Sequence, residues 1–412
     1  MRYLLIFIFL AAVFLGHYAF SGQAVYGDGI DYWAYLHSWY FDHDTNFNNE
    51  YRHQYDPKDN NSGGFYLTPH VQKTRINQNG TTDNIHPAGT SLFLLPFYIL
   101  ADLLVRLANI FGWQLAANGY SDFYQITCGL GAVLYTVIAF YLTERLCIKF
   151  SGSRTIGFWA SLGVLLCTPM LYYGSYDIIN SHFISYLLSV SFWLVFFTAD
   201  LNKSRWLFLI SALASFAGLV RIQDVFLFIP LLLKLRRVDQ FLLSGLVGII
   251  IFLPQFYNWW YLYGVIYPYT YATTAVRESW WGSLFHPING WIRTPVMFLS
   301  FWGFGSLGAG AVYFMSFLIP SFLAISFYGG WAAPAYGARM YISSLPFIAV
   351  LLAVWFKKLS PKFYRSFIIF FFIINMTSLT SFVFFEKEVN SGRKRGLEEN
   401  TVIKLQQLIK IL

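Results

Sequence analysis

The amino-acid sequence predicts an all-α polytopic membrane protein, on three observations. Of its 412 residues 57% are hydrophobic and 12% charged, too few polar groups to cover a water-soluble fold of this size. Apolar runs of about 16 to 22 residues recur along the chain, close to the roughly 20 that cross a bilayer core as a helix. The 14 Trp and 29 Tyr gather at the ends of those runs, where amphipathic rings sit at headgroup depth. The short alternating segments of a membrane β-barrel are absent.

The net charge of +8 does not signal nucleic acid, because the basic residues form short clusters between apolar runs: "KFSGSR", "NKSR", "KLRR" and "KKLSPKFYR". Topology accounts for them instead. Cys128, Cys147 and Cys167 all fall within apolar runs and lack metal-ligand spacing, so they read as small buried hydrophobes rather than a disulfide framework. Met1 and Arg2, followed by apolar residues to Phe20, have the form of a signal peptide. With so many hydrophobic runs downstream, that stretch is expected to stay as an uncleaved first span.

Placing the basic clusters in the cytoplasm orders the remaining elements. A first span over 3–20 delivers a long polar outer loop, 21–125. If residues 90–110 also crossed, every later basic cluster would land outside, so this run is expected to be a juxtamembrane or re-entrant helix of the outer loop. That placement also tolerates Pro96, Asp102 and Arg106. Further spans are expected over 126–148, 155–172, 183–199, 205–220, 224–234, 240–256, 294–309, 311–328, 341–356 and 366–385. The total is about eleven transmembrane helices in one domain, 1–385. A second outer loop covers 173–182, an aromatic outer loop 257–293, and a polar, basic tail 386–412 is left outside.

This topology collects one set of polar residues on the outer face: Asp28, Asp31, Asp42, Asp44 and Glu50 in the first loop, His86 ahead of the juxtamembrane helix, Asp177 and His182 in "GSYDIINSHF", Arg221 and Arg339. Ionisable groups at membrane depth are costly and mark sites or pathways. Asp28 lies in "YGDG", where the glycines permit either an ordinary turn or close approach of a ligand. Asp31 stands where an N-cap for "YWAYLHSWYF" would stand. Asp42 and Asp44 in "FDHDTNF" suit either a divalent cation, which prefers oxygen ligands, or a solvated turn. Arg221 and Arg339 each end an apolar run, where a guanidinium either binds a lipid phosphate or snorkels to the interface. A single histidine such as His86 or His182 is by itself weak evidence.

A carboxylate beside the membrane, arginines at phosphate depth and an aromatic-rich loop suit one chemistry. The carboxylate acts as general base on an acceptor hydroxyl while the arginines hold the phosphate leaving group of a lipid-carried sugar.

The segments "GDGIDYWAYLHSWYFDHDTNFNNEY", "HPAGTSLFLLPFY" and "NGYSDFYQ" resemble bacterial members of the GT-C superfamily, multispanning glycosyltransferases related to protein O-mannosyltransferases and aminoarabinose transferases. "GSYDIINSHFISYLL", "AGLVRIQD" and "GARMYISSLPF" follow in the same order, so the resemblance covers residues 1–350. It implies a polyprenyl-phosphate-linked sugar donor, action at the periplasmic or lumenal face of, most simply, a bacterial inner membrane, and usually inversion at the anomeric carbon. It points to Asp28 as the catalytic acid, with Asp31 as the alternative, and to Asp177 as a second functional acid. Some such enzymes use a metal and others none, so a divalent metal ion stays open as cofactor. The acceptor is a glycan, lipid or protein; the absence of the Asp-Glu pair seen at the first-loop site of protein O-mannosyltransferases argues against protein. The competing classes are a transporter or flippase of lipid-linked sugars and a non-catalytic assembly subunit. Transporters commonly show repeated halves with charges at the centre, and neither pattern is present.

Overall fold

A computed structural model describes residues 1–55, 77, 80–267, 281–328, 331 and 335–384. The expected tail 386–412, parts of the first loop and residues 268–280 of the aromatic loop lie outside the described residues. Among those described, structure is helical or looped, with no β-strand.

The chain begins with α1 (Arg2–Ser21), α2 (Asp28–His37), a single π turn over Ser38–Asp42, α3 (Asn48–Tyr55), α4 (Gly89–Ile110), α5 (Asp122–Ser151) and α6 (Arg154–Cys167). A second π turn over Tyr172–Tyr176 leads to α7 (His182–Thr198) and α8 (Ser204–Val220). A 3₁₀ segment, Ile222–Leu227, runs into α9 (Phe228–Lys234), and α10 (Val238–Tyr263) follows. Then come α11 (Gly282–Phe285), α12 (Val296–Leu299) with the 3₁₀ segment Ser300–Ser306, and α13 (Gly310–Tyr328). The 3₁₀ segment Arg339–Ser344 enters α14 (Leu345–Phe356), and α15 (Pro361–Phe384) ends the described chain.

Seven of these stretches are long and apolar enough to cross a membrane: α1, α4, α5, α10, α13, Arg339–Phe356 and α15. Arg154–Cys167, His182–Thr198, Ser204–Val220 and Val296–Ser306 are apolar but shorter. The expected spans at 224–234 and 294–309 are therefore not regular helices. Each combines a 3₁₀ segment with a short α-helix. In the second, Gly303 and Gly305 weaken helix propensity, and the 3₁₀ rise of about 2.0 Å per residue lets a short stretch reach farther than an α-helix would.

Side-chain contacts sort the helix ends into two groups. At one end Arg2 pairs with Glu144 at 2.6 Å, and Arg2 also lies over the Phe158 ring at 5.2 Å. There too Phe150 meets Phe197, Lys234 donates to the Phe196 carbonyl, Gln240 reaches the Leu201 carbonyl, and Arg365 lies over Trp159. All four basic clusters thus fall at the Arg2 end. At the opposite end Tyr18 donates to Asp122 at 2.6 Å, so α1 and α5 are antiparallel. The ring of Tyr172 packs there on Tyr336 and Phe382, which brings the last turn of α15 to this second end.

α4 follows only the first half of α5. Phe93 and Phe97 pack on Tyr135, Tyr98 packs on Tyr124, and Tyr124 donates to Asp102 at 2.5 Å. The pairing climbs from mid-helix toward the Asp122 end, away from Arg2. Asp102, buried, also accepts from Tyr40 and pairs with Arg106 at 2.6 Å, which is how an apolar helix carries both charges.

α14 is the most enclosed helix, buried at every residue but Trp355. By contrast α10 exposes Leu242, Leu246, Ile249, Leu253, Tyr257 and Trp260 along one stripe, and α15 exposes Ile369, Phe370 and Ile373. Such faces are unfavourable in water and match a hydrocarbon environment, making this a helical integral membrane protein.

Candidate functional site

The end opposite the basic clusters holds most of the outer-face candidates. α2 opens after Gly27, whose φ of 55° is a backbone conformation that glycine adopts without strain, and this aims Asp28 from the first helical position. Gly29 lies directly against the loop before α7: a Cβ there would stand 2.5 Å from the Ile179 carbonyl oxygen. Asp28 Oδ2 is 3.5 Å from Arg339 Nη1, and Oδ1 is 3.7 Å from His86 Nε2. These are ion-pair separations, longer than a hydrogen bond. With 42% of its side chain exposed, Asp28 opens to the surface.

Asp31 is not an N-cap. It occupies the fourth position of α2, is buried, and accepts a hydrogen bond from Tyr51 at 2.9 Å. The helix starts one turn earlier than the sequence suggested because Gly27 makes the turn. His86 Nε2 is 3.6 Å from Asp31 Oδ2, so one imidazole stands between two carboxylates. His86 is fixed by Tyr35, which donates to its carbonyl at 3.1 Å, and by Asn84, which accepts from its N–H at 3.2 Å.

Arg221 is turned inward rather than snorkelling. Its Nη1 donates to His182 Nδ1 at 2.7 Å and to Ser181 Oγ at 3.2 Å, while Nη2 contacts Met340 Sδ at 2.9 Å, next to Arg339. A guanidinium has only donors, so His182 Nδ1 accepts and the neutral ring carries its proton on Nε2. The charges of Arg221 and Arg339 bear on His182, and those of Asp28, Asp31 and Arg221 bear on the buried Tyr32 hydroxyl. Asp224, buried and bonded to Ser185, lies near enough to Arg221 to offset part of its charge. Asp177 ends the second π turn, its N–H bonded to the Tyr172 carbonyl at 2.9 Å, two residues before the Ile179 that packs on Gly29.

The other first-loop acids form a different group. Asp42 and Asp44 do not act together: Asp44 accepts from Ser38 Oγ at 2.7 Å and from the Asn46 N–H at 3.0 Å, an Asx turn. Asp42 Oδ2 instead lies 3.1 Å from His37 Nδ1, and Glu50 Oε1 lies 3.2 Å from the same nitrogen. Burial pushes Glu50 up to about 7. Burial acts in the same direction on Asp42, but hydrogen bonds from Glu50, Asn49 and His37 outweigh it and hold Asp42 below the usual carboxylate range.

Tyr32, Tyr51, Asn84, His37 and Asp224 were not legible as site residues. Asp224 carried a signal, being three residues after Arg221, a spacing that joins side chains on a helical turn. The others depend on chain segments meeting in space. Fold and site together define a helical membrane protein with a carboxylate, histidine and arginine cluster at the end remote from its basic loops. Compared with known proteins, the chain matches no family model, no curated protein and no solved structure.

Proposed function

We propose that the protein is a GT-C-type membrane glycosyltransferase that moves a sugar from a polyprenyl-phosphate carrier to a glycan or lipid acceptor, with a protein acceptor in second place. One observation carries this: the acid just after the first helix, Asp28, meets Arg339, whose neighbour Met340 contacts Arg221 of the Arg221–His182 pair, at the end away from the basic clusters. In this scheme the Asp28 carboxylate takes the proton of an acceptor hydroxyl, the acceptor oxygen bonds to the anomeric carbon, and the bond from that carbon to the phosphate oxygen breaks. Negative charge grows on the departing phosphate, where Arg339, Arg221 and the Nε2–H of His182 are the available donors.

An apolar groove of about 430 Å³ supports the lipid carrier, beginning one residue beyond Arg221 and lined by Ile222, Val225, Phe228, Gly248 and Phe252. A prenyl tail in this groove would hold its phosphate beside the guanidinium. By the positive-inside rule the basic end is read as cytoplasmic, and the GT-C resemblance implies that the site faces the periplasm of a bacterial inner membrane. Eleven crossings follow if α4 remains in the outer half, as its pairing with the first half of α5 favours, and if the two 3₁₀-containing segments cross.

The test is transfer in proteoliposomes supplied with polyprenyl-phosphate sugar and a periplasmic glycan or lipid extract. The parent releases polyprenyl phosphate and labels acceptor, and Asp28→Asn loses roughly 100-fold to 10,000-fold of that rate, as expected for a missing general base. A parent that releases no polyprenyl phosphate yet moves the lipid-linked sugar across the bilayer would overturn the enzyme in favour of a flippase.

A further inference from the structure

We propose that His37, Asp42 and Glu50 form a binding site for a divalent cation of the zinc or manganese class, which ties α3 to the C-terminal end of α2. Their ligand atoms all lie within 4.8 Å of one another. The π turn over Ser38–Asp42 creates this group by widening the helix so that Asp42 comes beneath His37.

Three features point to a cation rather than to hydrogen bonding alone. First, one ring nitrogen, His37 Nδ1, faces two carboxylate oxygens, at 3.1 and 3.2 Å, while carrying at most one proton. Separations of about 3.0 to 3.4 Å are also those between ligands that each stand about 2.0 to 2.2 Å from a shared ion. Second, Glu50 is completely buried, and its second oxygen, Oε2, accepts no hydrogen bond. Bidentate coordination would satisfy it, whereas a buried acceptor left unmet is costly. Third, two carboxylates converge while no lysine or arginine among the described residues pairs with either. One imidazole with two carboxylates suits zinc or manganese better than calcium, which takes oxygen ligands alone.

The ion's role is structural. Tyr51, the neighbour of Glu50, donates to Asp31, so fixing Glu50 fixes the register of α3 that supplies this hydrogen bond.

The experiment measures metal in the full-length protein purified in detergent, by mass spectrometry after incubation with zinc or manganese chloride and desalting. About one ion per chain is expected. Glu50→Gln and His37→Asn should each weaken binding by at least about tenfold, and Asp44→Asn should retain the ion. Chelation should lower the thermal midpoint of the parent and leave that of Glu50→Gln unmoved. A parent that retains neither metal, with a midpoint indifferent to chelator, overturns the site; so does equal retention by Glu50→Gln and His37→Asn. Because the parent is measured directly, a misfolded variant cannot shield the proposal. No readout involves sugar transfer, so this site and the proposed activity fail separately.

Discussion

Asp28 and Asp31 are one helical turn apart, and their surroundings give them different work. Asp28 is open and meets a guanidinium and an imidazole, whereas Asp31 is buried and accepts from Tyr51. Asparagine at 31 still offers an oxygen to Tyr51, so Asp31→Asn should cost about 1 to 3 kcal/mol of stability and keep most of the transfer rate. Asp28→Asn should melt like the parent and lose turnover. Thermal melting and transfer measured on the same preparations check both. The arginines separate in a similar way. Replacing either by Gln removes a charge-assisted contact to phosphate, worth roughly 2 to 5 kcal/mol when buried, and should weaken donor binding about 30-fold or more. Arg221→Gln should in addition destabilise the protein, since its guanidinium bridges Ser181, His182 and Met340. Unchanged donor binding in both variants would return these arginines to a purely structural role.

Two glycines decide how the elements that carry the site come together. Gly29 brings α2 against the Ile179 carbonyl, and Gly89 brings α4 against the end of α8, where a Cβ would stand 2.5 Å from the Leu219 carbonyl carbon and oxygen. Backbone cannot yield as a side-chain tip can, so Gly29→Ala and Gly89→Ala should each cost about 1 to 3 kcal/mol. Gly29→Ala should also slow transfer, because the displaced turn carries Asp28; a melt and a rate on each variant test this. The path of α4 sets the topology. Gln114→Cys, in the exposed connection between α4 and α5, should react with an impermeant thiol reagent added outside intact cells, and Lys203→Cys, between α7 and α8, should not. Labelling of Lys203→Cys but not Gln114→Cys would invert the protein in the membrane. The same reversed pattern is expected if α4 crosses, because residue 114 would then lie inside and the basic cluster at 203 outside.

At the scale of the whole molecule, the exposed stripe on α10 requires hydrocarbon around it. A spin label at Ile249 should therefore be relaxed by oxygen and shielded from a polar nickel reagent, and the opposite accessibility would place that face in water. The helical class was legible because apolar runs of spanning length are a local property of the chain. The four basic clusters reach one end in the structure, as charge asymmetry alone had required. Asp28, His86, His182, Arg221 and Arg339 were legible for a related reason: in a chain only 12% charged, an ionisable group beside an apolar run stands out. What those groups touch was not legible. Asp31 read as a cap until Tyr51, twenty residues on, claimed its carboxylate. Asp44 read either as a cation-binding partner of Asp42 or as part of a turn; it forms the turn, and the π turn puts His37 and Glu50 beside Asp42. Composition and periodicity specify which segments enter the membrane and where charge must be compensated. Which side chain does the compensating is decided when helices distant in sequence pack, since hydrogen bonds and ion pairs act over a few ångströms and the sequence carries no such distances.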